Sequence, residues 1–166
     1  MNILVTGSAG MIGSYVVKGL IDKGHTVIGV DRIVKDTQLE GLTQIILDLS
    51  SKEGLMQLFD DKKIDRAIHL AALAHTAGMK NLTWETYEKI NIDCAENVFE
   101  ACAKHNVPVL FISTVDAIGM VKGLITPDVE LNPISNYGKS KAIAEGRLKD
   151  ICSPFPILYA QLGYLR

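Results

Sequence analysis

The chain has 166 residues, of which 48% are hydrophobic and 22% charged, and a formal net charge of −2. That length suits a single domain, read here as residues 1–166, burying about 70% of its unfolded surface. The near-neutral balance leaves no electrostatic footprint for nucleic acid and no basic run for an anionic membrane. No apolar run reaches membrane-spanning length.

In chain order, Asn2–Thr6 reads as a strand, followed by a glycine-rich turn and a helix over Met11–Lys23. Thr26–Val30 and Thr43–Leu47 read as strands, Lys52–Asp60 as a short helix and Arg66–Leu70 as a fourth strand. A long helix is expected over Thr83–His105, a fifth strand over Val107–Ile112, a helix over Asn136–Asp150 and a sixth strand over Phe155–Ala160. Strands alternating with helices imply parallel crossovers, hence an α/β doubly wound parallel sheet of about six strands, a three-layer sandwich. Gly119–Ser135, with Pro127 and Pro133, reads as a loop over a site. The opening apolar stretch Ile3–Val5 is too short for a secretory leader and has no basic segment before it. The three cysteines, Cys94, Cys102 and Cys152, are odd in number and lack metal-ligand spacing. They read as small buried hydrophobes in a reducing cytoplasm, with no metal site expected.

The first strand runs into Thr6-Gly7-Ser8-Ala9-Gly10-Met11-Ile12-Gly13. Glycines there permit a tight turn, close backbone approach to a pyrophosphate and close helix–strand packing. The helix that follows aims its free N–H groups and positive dipole end at the anion. The spacing is Gly-x-x-Gly-x-x-Gly, with Ala9 where the dinucleotide fingerprint has its second glycine. Asp31 ends the second strand, where an acid accepts hydrogen bonds from an adenosine ribose and repels a 2′-phosphate. NAD is therefore favoured over NADP, although the adjacent Arg32 would suit a 2′-phosphate or stand as a solvated charge. Asp48 follows the third strand, within reach of an adenine amino group or, alternatively, as a helix N-terminal acid beside Ser50 and Ser51.

Further along come His69-Leu70-Ala71-Ala72, Asn91-Ile92-Asp93, Ser113-Thr114 upstream of Gly119, and Tyr137-Gly138-Lys139-Ser140-Lys141. With the glycine turn, this ordered set resembles the extended short-chain dehydrogenase/reductase family, whose typical members are NAD-dependent nucleotide-sugar epimerases and dehydratases. The resemblance spans nearly the whole chain. It implies a Rossmann-type fold and a cytoplasmic oxidoreductase that holds NAD through Gly7, Ala9, Gly10, Met11, Ile12, Asp31, Arg32, Asp48, Leu49, Leu70, Ala71, Ala72, Asn91, Ser113, Tyr137 and Lys141. It also implies a catalytic set of Thr114, Tyr137 and Lys141, working by hydride transfer on a nucleotide sugar.

The chemistry of those residue types agrees. Tyr137 and Lys141 are one helical turn apart and share a face. A free tyrosine, with a pKa of about 10, is a poor base at neutral pH. A nearby ammonium and a positive nicotinamide ring favour the phenolate. Thr114 would donate a hydrogen bond to the reacting oxygen. His69, in an apolar strand, reads as a satisfied core histidine. His75 would sit at the cleft edge as a substrate candidate, Trp84 would pack the start of the long helix, and Lys139 would face solvent.

Two departures from the family pattern matter. Val115 and Asp116 follow Thr114 where family dehydratases carry an Asp-Glu pair, which disfavours 4,6-dehydration relative to epimerisation or simple redox. Members of the family also continue well beyond the position of Arg166, so the substrate-binding domain is expected to be absent or truncated. The competing expectation is then a non-catalytic dinucleotide-binding or redox-sensing module. A homodimer through Ile90–Cys102 and Ala142–Leu148 is a further expectation, set against ordinary packing of these helices on the sheet.

Overall fold

The computed structural model of the chain describes residues 1–36, 39–74, 82–121, 125–126 and 129–152, and the backbone of 158–162. The strands β1 (Asn2–Thr6), β2 (Thr26–Asp31), β3 (Leu42–Ile46), β4 (Arg66–His69), β5 (Val109–Thr114) and β6 (Leu158–Leu162) form one sheet in the order β3-β2-β1-β4-β5-β6. All pairs are parallel. Val5 pairs with Gly29 of β2 on one side and with Ile68 of β4 on the other. The sheet thus grows in opposite directions from β1, and a crevice opens where the crossovers diverge. The doubly wound expectation holds, and the apolar runs of β1 and β2 explain it. Leu4, Val5, Val27 and Val30 have no exposed surface, as strands covered on both faces require.

The helices are α1 (Met11–Asp22), α2 (Lys52–Asp61), α3 (Trp84–Tyr87), α4 (Cys94–Lys104) and α5 (Asn136–Cys152). One face of the sheet carries the larger core, where Leu55, Phe59, Val98, Phe99, Ala144 and Leu148 meet Leu4, Ala67 and Phe111. The other carries a smaller cluster of Ile3, Val5, Val17 and Val27 beneath α1. Alternation along β5 sends Val109 and Phe111 into the large core and leaves Leu110 and Ile112 half-buried on the α1 side.

Several boundaries differ from the sequence expectation, for local reasons. β5 begins at Val109, because Asn106 takes a left-handed turn (φ 56) and Val107 N–H bonds back to Cys102 O. The long helix is interrupted by a π-helical segment, Glu88–Asp93, between α3 and α4. β6 lies over Leu158–Leu162, and residues 155–157 of the expected strand fall outside the described residues. The apolar positions considered for dimer pairing, among them Ile92, Val98, Phe99, Ala144 and Leu148, are buried within the chain itself. The outer side of these helices carries Glu96 and Arg147 instead, with Arg147 Nε 3.8 Å from Glu96 Oε2.

Candidate functional site

At the switch point lies a cleft of about 380 Å³, at the carboxyl ends of the strands. Gly7 and Gly10 form its floor. Asp31, Arg32, Asp48 and Leu49 bound one side, and Leu70, Ala71 and Ala72 the other. Nine residues singled out from the sequence therefore converge on one concavity from the ends of four strands, β1 to β4.

The glycines are there for contact rather than for flexibility alone. Gly7 has φ +70, and a Cβ on it would stand 2.8 Å from Ala71 N. A Cβ on Gly13 would stand 2.0 Å from Gly7 O. No larger residue at either position leaves the turn and the first helical coil of α1 so close. The N-terminus of α1 has Gly10 as its cap residue, no side-chain cap and no acidic residue in its first turn. Its leading amides and dipole are therefore left for an anion. Met11 and Ile12, 78% and 45% exposed, lie at the mouth of that helix. A tight glycine turn beneath an uncapped helix start fits the diphosphate of a dinucleotide.

Asp31 fastens the turn to β2. Its Oδ2 accepts from Ala9 N–H at 3.0 Å and its Oδ1 from Arg32 N–H at 2.7 Å. Each oxygen keeps a lone pair for a further donor. Asp48 closes a local turn by accepting from Ser50 N–H at 2.9 Å. That bond, with help from Arg32 and Lys89, holds its carboxyl below the ordinary range. Both acids thus bring negative charge to the rim without blocking it.

A second cluster forms around the end of β5. Thr114 begins the 3-10 turn Val115–Ala117, its Oγ1 accepting from Asp116 N–H at 3.2 Å. The start of α5 packs on this turn, because Gly138 has no Cβ. A Cβ there would stand 2.2 Å from Asp116 O. Ser135 Oγ caps α5 by accepting from Gly138 N–H at 2.9 Å. Tyr137 is half-buried in the first turn, and Lys141 is 2% exposed one turn further on. The Lys141 ammonium sits 3.9 Å from the Phe111 ring centroid. Burial pushes Lys141 down to about 7, against the opposing pull of Glu145.

Two predicted contact residues stand behind the wall instead of on it. Asn91, in the π-helical segment, accepts from Leu73 N–H at 2.7 Å and donates to Leu73 O and Ser140 Oγ. It ties the loop after β4 to α5. Ser113 is buried and donates to Glu145. His69 is a core residue, its Nδ1 2.8 Å from Thr6 Oγ1 and its ring stacked on Phe111. It is only half satisfied: Nε2 has no hydrogen-bond partner among the described residues, and burial pushes the ring down to about 3. Lys139 is exposed with its ammonium 4.8 Å over the Trp84 ring, and His75 lies outside the described residues.

Sequence reasoning missed Lys89, Ile90 and Cys94 on the cleft wall, and Glu145 and Ser140 beneath the second cluster. Glu145 carried a signal, because it stands one turn beyond Lys141 on a helix. Cys94 is inert, with burial pushing its thiol up to about 11. Among the described residues there is no cluster of metal-ligating side chains, and no helix is long and apolar enough to cross a membrane.

Strand order, switch-point cleft and glycine turn together define a Rossmann-type α/β protein. Residues 3–157 match the NAD dependent epimerase/dehydratase family, and the chain belongs to that family. It is 31% identical to a Bacillus subtilis protein described as an uncharacterized UDP-glucose epimerase, over 87% of this chain and 50% of that one. It is 30% identical to the UDP-glucose 4-epimerase of Dictyostelium discoideum, over 93% of this chain and 48% of the relative. The chain spans about half the length of these curated relatives. Among solved structures it is similar to the Bordetella bronchiseptica enzyme WbmG in complex with NAD, with a TM-score of 0.85, 26% identity and coverage of 97% and 52% of the two chains. It is also similar to the UDP-glucuronic acid 4-epimerase of Bacillus cereus in complex with NAD, with a TM-score of 0.83, 27% identity and coverage of 98% and 57%.

Proposed function

We propose that this chain supplies the dinucleotide-binding and acid–base half of an NAD-dependent epimerase or related oxidoreductase acting on a nucleotide sugar. One observation carries the reading. An uncapped helix start over a glycine turn lies at the carboxyl end of β1, and in the same parallel sheet the start of α5, which bears Tyr137, packs on the turn that Thr114 begins at the end of β5. The relatives' own names, and the NAD in the complexes of two similar structures, support the same substrate class and cofactor.

In this reading the diphosphate rests against the amides of Met11 and Ile12, since the Gly10 N–H already donates to Gly7 O at 3.0 Å. Asp31 accepts from the adenosine ribose, which favours NAD over NADP. Arg32, Asp48 and Leu49 border the adenine, while Ala71 and Ala72 keep the opposite wall thin. Thr114 uses a lone pair on Asp116 N–H and so directs its own proton at the reacting oxygen. Tyr137 moves a proton to or from that oxygen, and the Lys141 charge favours its phenolate. When bound, the dinucleotide supplies a ring that takes up and returns a hydride. Val115 and Asp116 in place of an acidic pair favour epimerisation or simple redox over 4,6-dehydration.

Calorimetric titration of the folded chain with NAD and NADP tests the cofactor assignment. Binding of neither would overturn it. Turnover on a panel of UDP-sugars tests the rest: Tyr137→Phe is expected to lower it by about 10²–10⁴-fold, with NAD affinity nearly unchanged. Tight NAD binding without turnover by the unaltered chain would instead identify a non-catalytic dinucleotide module.

A further inference from the structure

Glu145 is a carboxylate only 2% exposed, in the interior of α5, and neither the cleft nor the catalytic set accounts for it. Such a group is costly to bury unless its charge is met. One group is hydrogen-bonded to it and one basic group stands a helical turn away. From β5, the buried Ser113 hydroxyl donates to Glu145 Oε1. From its own helix, Lys141 stands one turn earlier on the same face and is equally buried. Ser113 directly precedes Thr114, so this hydrogen bond joins the end of β5 to the helix that carries Tyr137 and Lys141.

We propose that Glu145 is a positioning residue for the Thr114–Tyr137–Lys141 set, tethering the end of β5 through Ser113 and supplying the buried counter-charge to the Lys141 ammonium. This rests on the function proposed above. The groups facing Lys141 make the charge role specific. Phe111 of β5 gives it a ring face, and His69 of β4 lies on that ring's far neighbourhood, stacked at 5.8 Å and kept neutral at physiological pH. Glu145 is the acidic group whose field holds the Lys141 proton, in opposition to burial. Without it, desolvation acts alone and the ammonium gives up its proton at lower pH.

The test reads Lys141 directly, by the pH titration of its ¹³Cε resonance in the folded chain. The wild-type midpoint is expected at about 7. Glu145→Gln keeps an acceptor for Ser113 but removes the charge, and is expected to move the midpoint about one pH unit lower. Ser113→Ala keeps the charge and leaves the midpoint in place, while loosening the β5 tether and speeding amide exchange at Thr114–Asp116. An unmoved Lys141 midpoint in folded Glu145→Gln would overturn the counter-charge, and unchanged exchange in Ser113→Ala would overturn the tether. If Glu145→Gln does not fold, the double variant Lys141→Met/Glu145→Gln decides. Recovery of folding supports the charge pairing, and continued failure overturns it. None of these readouts needs a cofactor, so failure to bind NAD would sink the proposed function while leaving this inference standing or falling on its own result.

Discussion

At the scale of single residues, the site is governed by what cannot be added. The space beside Gly13 is already taken by the Gly7 carbonyl, whereas Gly19, in the same helix, has nothing within 4 Å of where a Cβ would stand. Gly13→Ala is therefore expected to destabilise the chain by about 1–3 kcal/mol and to weaken NAD binding. Gly19→Ala should stabilise it by about 0.5–1 kcal/mol through helix propensity. Paired urea melts of the two variants check the contrast. A pair that behaved alike would mean the turn relaxes around an added methyl.

The buried ammonium has its own signature. Lys141 is lowered from 10.5 to about 7 in the folded chain, so between those values the unfolded chain binds more protons. Stability contributed at this position consequently rises with pH across that window, and the burial penalty is fully present below it. Lys141→Met removes this titration, so its stability relative to the unaltered chain is expected to fall as pH rises from 6 to 10, whatever the offset from leaving Glu145 unpaired. Melts at the two pH values measure this directly. A relative stability that grew with pH would reverse the sign and refute the burial argument.

At the scale of elements, the π-helical segment Glu88–Asp93 holds the second wall of the cleft. The wider turn coincides with Asn91, which spends one acceptor and two donor contacts on Leu73 and Ser140. Such segments recur where a side chain must be re-aimed. Asn91→Ala leaves Leu73 N–H and O without those partners and is expected to cost about 1–3 kcal/mol. Faster hydrogen exchange should follow in the loop after β4, and protection there equal to wild type would show that Asn91 does not hold the wall. This tether was only partly legible. The resemblance put Asn91 among the cofactor contacts, on a long helix, but partners eighteen and forty-nine residues away in the chain belong to the folding of three elements together.

At the scale of the whole molecule, the sheet divides its duties. The large core lies behind β1, β4 and β5, and the smaller cluster packs under α1, the helix that follows the glycine turn. A ligand that binds the folded chain and not the unfolded one must stabilise it by mass action. NAD at one hundred times its dissociation constant is expected to add about 2.7 kcal/mol. NADP at the same concentration should add less if Asp31 takes the proposed ribose contact, because its carboxylate would repel a 2′-phosphate. Thermal melts with each dinucleotide read the difference, and equal shifts would assign the ribose end to Arg32 and Lys89 instead.

By itself the sequence determined the fold class, the glycine turn and the acids at the ends of β2 and β3. These depend on short-range spacing: apolar runs of strand length, helix periodicity, and residue types that only one backbone conformation tolerates. Tertiary structure alone decided which of those residues face the cleft and which stand behind it. Asn91 and Ser113 are turned inward by partners on other elements, His69 is left with one ring nitrogen unmet among the described residues, and Glu145 becomes a buried acidic side chain. The physical reason is that burial and hydrogen-bond partnership are properties of packed elements, and no local spacing encodes which group across the sheet will meet a given side chain.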